Sequence, residues 1–108
     1  MIASEDELFL MSNLSPKLTG LPFVVWISPK GNARHDVRIK VSTSSKVTDD
    51  WVIVAIRPEV RVIHGQLPGG TMELLKQWVE LNRDALVKFW EGDIEYTEDV
   101  LGQLRSID

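Results

Sequence analysis

Apolar residues recur along this chain with two periods, and the period changes once. In PFVVWIS, residues 22–28, both alternating sets are mostly apolar: Phe23, Val25 and Ile27 on one side, Val24 and Trp26 on the other. Such a β-branched and aromatic run predicts a strand covered on both faces. PKGN, residues 29–32, predicts a hairpin turn, with proline fixing one torsion and Gly31 free to take a positive φ. HDVRIKVS, residues 35–42, sets His35, Val37, Ile39 and Val41 against Asp36, Arg38, Lys40 and Ser42, the alternation of a half-exposed strand. TSSKVTDD, residues 43–50, has no apolar period and reads as a loop. WVIVAIR, residues 51–57, is a further strand run; Pro58, which cannot donate to a ladder, interrupts it before VRVIHG resumes with Val60, Val62 and His64 against Arg61 and Ile63.

From Thr71 the period becomes helical. Leu75, Trp78, Val79, Asn82, Ala85, Leu86 and Phe89 fall three and four residues apart and so share one face. Thr71 is placed to cap the helix, Glu73 lies in its first turn, and Gly92 stands where a C-terminal cap is expected. A second, short helix is predicted from Thr97, with Glu98 and Asp99 in its first turn and Val100, Leu101 and Leu104 as its apolar side. SEDELFLMSNL, residues 4–14, can form one more helix, capped by Ser4 with Glu7 completing a capping box. Strands first and helices afterwards predict an α+β fold: one domain over residues 1–108, with an antiparallel sheet of about four strands in residues 21–65 and a helical part in residues 71–108 packed on it.

Composition narrows the functional classes. The chain has no cysteine, which excludes disulfides, thiolate nucleophiles and metal sites built on thiolates. Its longest nearly apolar run, LPFVVWI, is far short of the roughly 20 residues of a membrane helix. Residues 1–13 carry three acids and no base, where a signal peptide needs a basic start, so the expectation is a cytoplasmic protein with no membrane partner. The net charge of -4 is uneven: residues 1–20 carry -2, residues 21–70 carry +3 and residues 71–108 carry -5. A basic middle beside an acidic tail suits a phosphate-facing surface, or two halves that attract each other within one fold.

Several residues are candidates for a site. Arg38 and Lys40 share the polar side of their strand with Arg34 and Asp36, and Arg57 and Arg61 on later strands extend this into a basic sheet face able to hold phosphate. The competing reading is a solvated face whose charges pair with acids of the C-terminal helices. His35 and His64 are the candidates for imidazole chemistry, and would meet if their strands were neighbours; a histidine satisfied by one hydrogen bond is the simpler role. Asn82 interrupts an apolar stripe and needs a partner, because an unpaired buried amide costs on the order of 1 to 3 kcal/mol. It either lines a small pocket with Trp78 and His64 or tethers the helix to a loop or edge strand. Of the four tryptophans, Trp51 and Trp78 are expected in the core and Trp90 partly exposed. No nucleotide-binding, hydrolase or metalloprotease motif occurs, and no cofactor or metal is expected. The sequence favours binding over catalysis.

The helix ELLKQWVELNRDALVKFWEGDI, residues 73–94, resembles the C-terminal helix of small bacterial proteins grouped as domains of unknown function, some of which look like members of toxin–antitoxin-type pairs. LPFVVWIS followed by RHDVRIKVS is similar in order to the strand pair before that helix, and the likeness runs over residues 21–107. The closely spaced histidines of many such proteins are missing here; His35 alone lies near their place. The resemblance implies the fold and a bacterial setting. With the uneven charge and the aromatics it leads to the expectation of an accessory protein that binds another protein or itself, with a nucleic-acid-binding or toxin–antitoxin-type module using the basic sheet face as the alternative.

Overall fold

The computed structural model describes residues 11–42 and 51–107. Among the described residues five strands form one antiparallel sheet in chain order: β1 Ser12–Leu14, β2 Val24–Ile27, β3 Arg38–Ser42, β4 Trp51–Ala55 and β5 Arg61–His64. The described residues also form three helices: a single turn α1 Pro16–Thr19, the long α2 Thr71–Glu91 and the short α3 Thr97–Gln103. The α+β architecture expected from the order of elements is the one observed, with one strand more than foreseen. That strand, β1, lies within the segment read as an N-terminal helix, and pairs Asn13 with Trp26 and Leu14 with Val25. Three residues are too few to show a period, so only the partner strand reveals them as a strand. The predicted Ser4 cap, its Glu7 partner and the predicted loop at 43–50 lie outside the described residues.

Side chains directly opposite each other in a ladder share a face. Val25, Val41 and Val52 form one row across three strands, and with Ile39, Val54 and Ile56 they join the core. Against them α2 buries Leu75, Trp78, Val79, Leu86 and Phe89, the face its period predicts. The other face carries a row of Asn13, Trp26, Lys40, Ile53 and His64, and beside it a row of Arg38, Ala55 and Arg61.

Some local expectations are corrected. His35 lies before β3 and is exposed, instead of pointing inward with the valines, because β3 begins only at Arg38. Ser42 is buried. All four residues of the edge strand β5 are exposed, where alternation predicted one covered side; a bulge opposite Ile53 and Val54 breaks the register there. Thr71 does not cap α2: Gly70 holds the cap position with φ 81°, and the Thr71 hydroxyl donates to the Pro68 carbonyl at 2.6 Å. Gly92 does end α2, with φ 88°. On α3, Val100 is buried but Leu101 is exposed. Trp90 is buried and Trp51 half-buried, the reverse of the expected pair, because the β2–β3 connection folds over the end of α2.

Candidate anion-binding cleft

The connection between β2 and β3, residues 28–37, is fastened to the C-terminal end of α2 at several points. A turn closes with the Ala33 N–H on the Lys30 carbonyl at 2.9 Å, and the Lys30 N–H donates to the Trp90 carbonyl at 3.0 Å. The His35 ring lies over Trp90 with centroids 5.3 Å apart, and its Nδ1 sits 2.8 Å from the Asp36 carbonyl, which makes that nitrogen the donor. Asp36 then meets Arg57 in a bidentate pair: Nε donates to both carboxylate oxygens at 3.0 and 2.8 Å, and Nη2 to Oδ1 at 2.8 Å. The same Nη2 reaches Glu91 at 2.7 Å. Arg57 thus binds the connection to both β4 and the helix end, and this paired guanidinium, with the Val37 N–H, holds the Asp36 carboxyl well down, at about 2. The two carboxylates raise Arg57 in turn, Asp36 the more strongly.

Between this connection and the outer sheet face lies an open cleft of 430 Å³. Met11, Pro29, Ala33 and Trp90 supply apolar wall, and Lys30, Arg34, Arg38 and Lys40 converge on it together with His35. Among the described residues no carboxylate lines it. Lys40 also lies over the Trp51 ring, 5.8 Å from its centroid. Lys30, Arg34 and Arg38 take part in no ion pair among the described residues. Four cationic side chains thus line one concavity, with no acid among its described lining residues, in a chain whose net charge is -4.

Of the predicted site residues, the fold brings His35, Arg38 and Lys40 together here. Arg61 lies two strands from Arg38 in the same row, outside the cleft, and Arg57 is committed to Asp36 and Glu91. The two histidines do not meet, since His64 is on the far edge strand. Trp78, Asn82 and His64 do not form the expected joint pocket. Trp78 is sealed in the core, His64 is exposed, and Asn82 donates to the Trp78 and Arg105 carbonyls, both at 2.9 Å, while accepting from the Arg105 N–H at 2.7 Å. Lys30 was legible only as a turn residue and Arg34 only as a strand neighbour; neither the turn nor the alternation signals that they close a cleft. Among the described residues no group of three or more histidines and carboxylates is placed to hold a metal, and no helix is long and apolar enough to cross a membrane.

The fold and the cleft define a small α+β domain, a sheet layered on one long helix, with a cationic concavity at the end of that helix. Residues 46–91 match the family model described as Domain of unknown function (DUF4160). This agrees with the resemblance of α2 to such domains and covers β4, β5 and all of α2. Of the described cleft lining, Trp90 alone falls inside the matched stretch. No curated protein and no solved structure matches the chain.

Proposed function

We propose that this protein is a cytoplasmic bacterial accessory protein that works by binding, and that its cleft takes an acidic segment of a partner protein. The observation that carries this reading is the convergence of Lys30, Arg34 and Arg38 on a concavity with no carboxylate among its described lining residues. Guanidinium groups pair with carboxylates bidentately, and Arg34 and Arg38 have no such partner among the described residues. The apolar wall from Met11, Pro29 and Trp90 gives such a segment something to bury besides charge.

A nucleic acid would use the same cations, but sequence-tolerant binders of single strands stack bases on exposed aromatics. Here the tryptophan of the cleft wall, Trp90, is buried, and the exposed Tyr96 is not part of the lining. The pI of about 5.1 also argues for the protein partner. The test is anisotropy of a labelled hexaglutamate peptide at low salt, with single-stranded DNA of similar length in parallel. Binding of the peptide that is lost in the Arg34→Gln/Arg38→Gln double variant supports the proposal. Absence of peptide binding, or binding untouched by the double variant, overturns it. DNA bound more tightly than the peptide moves the assignment to nucleic acid.

A further inference from the structure

The cleft has a neighbour that fits it. Beyond Gly92 the chain turns into α3; Asp93 and Glu95 in this turn and Glu98 and Asp99 in the first turn of α3 are all exposed and without an ion-pair partner among the described residues. Among them stands Tyr96, 61% exposed, the only tyrosine of the chain. A large exposed aromatic with carboxylates beside it in the sequence is the chemical complement of a cleft lined by apolar residues together with Lys30, Arg34 and Arg38.

Two links fix how near the knob and the cleft are. Trp90 lines the cleft only six residues before Tyr96, and the Thr97 hydroxyl is 3.1 Å from that of Ser12, whose neighbour Met11 is part of the cleft wall. The two features therefore adjoin on one end of the molecule. The exposure of Tyr96 shows that it does not fill its own cleft.

We infer that the acidic partner is a second copy of this chain. Its Tyr96, with Glu95, Glu98 and Asp99, docks into the cleft while the reciprocal contact forms on the other side. A knob beside a complementary hole makes a self-complementary patch, and a two-fold axis between copies satisfies both contacts at once. The aromatic supplies the buried anchor and the charges set the register. This inference rests on the reading of the cleft as a site for an acidic segment, and adds the identity of the segment.

The test is sedimentation equilibrium of the full-length protein at low and high salt. Dimers that weaken with salt are expected. Tyr96→Ala, at an exposed position, should weaken them by at least about tenfold, as loss of an interface anchor does. Arg34→Glu should likewise leave monomers, as should Glu95→Arg/Glu98→Arg, each with an unchanged circular dichroism spectrum. The decisive experiment mixes those two variants, since one of the two interfaces then regains opposite charges. Heterodimers in the mixture, with monomers in either variant alone, establish the contact. A wild type that stays monomeric overturns the inference; if it still binds hexaglutamate through Arg34 and Arg38 the cleft reading stands, and if it does not, both fall. Dimers insensitive to Tyr96→Ala and Arg34→Glu also overturn it, by placing the interface elsewhere.

Discussion

The side chain of Asn82 pairs with the backbone of Arg105 as a neighbouring strand would. Its Oδ1 accepts from the Arg105 N–H at 2.7 Å, and its Nδ2 donates to the Arg105 carbonyl at 2.9 Å. One amide on the buried face of α2 thereby holds the segment after α3, whose Ile107 N–H reaches on to the Thr19 carbonyl at 3.0 Å. Asn82→Ala should lower the stability to urea by about 2 kcal/mol, since it leaves polar groups at a partly buried place unpaired. Hydrogen exchange should speed up at the amides of Arg105 and Ile107 while the β3 and β4 amides stay protected. Unchanged exchange at Arg105 would refute the tether.

The Asp36–Arg57 pair makes a prediction about acid. The folded carboxyl titrates at about 2, below its ordinary 3.8, so its contribution to stability is fully present above pH 4 and is lost as pH falls through 2. Arg57→Ala removes the main cause of the depression. NMR titration of Asp36 should then move up toward 3.8, and the stability difference between wild type and variant should shrink as pH falls from 4 to 2.

Arg57 was expected to bind anions directly, but its geometry makes it the group that neutralises Asp36 beside the cleft. Arg57→Gln should weaken hexaglutamate binding by baring that carboxylate. Adding Asp36→Asn to the same chain should restore the affinity. A direct contact from Arg57 to the peptide would instead leave the double variant as weak as the single one.

Gly65 ends β5 with φ +83°, and a Cβ built on it would stand 2.7 Å from the Trp51 carbonyl oxygen. Gly65→Ala combines a disfavoured conformation with a clash against backbone, and should cost on the order of 1 to 3 kcal/mol. Gly69→Ala is the control, because nothing lies within 4 Å of its Cβ. Chemical denaturation of both variants should show a loss at residue 65 and a near-neutral change at residue 69.

The pattern along the chain was a sound guide wherever one face had to be buried. The strand runs at 24–27, 38–42 and 51–55 and the whole of α2 were legible, because each meets the core with a period its own residues display. Strand β1 was not, and neither was the exposure of β5, whose valine and isoleucine suggest a covered side. An edge strand with apolar residues reads like a covered one until its neighbours are known.

The candidate site was legible only in part. Alternation put Arg38 and Lys40 on one face of β3, and the fold keeps them there. It also suggested that Arg57 and Arg61 extend the same patch. Arg57 is instead held by Asp36 and Glu91, 21 and 34 positions away in sequence, and no local pattern contains that pairing.

The sequence by itself determined the class of fold, the helix that covers the sheet, the need of Asn82 for a partner, and the absence of thiol chemistry. These follow from periodicity and composition, which are properties of neighbouring residues. Tertiary structure alone decided that Trp90 is buried, that Asn82 pairs with Arg105, and that Lys30 and Arg34 join Arg38 and Lys40 around one cleft. Each of these depends on where a connection folds once its backbone has found distant partners, such as the Trp90 carbonyl for Lys30. Such contacts are set by the shape of the whole core, which no single stretch of the chain encodes.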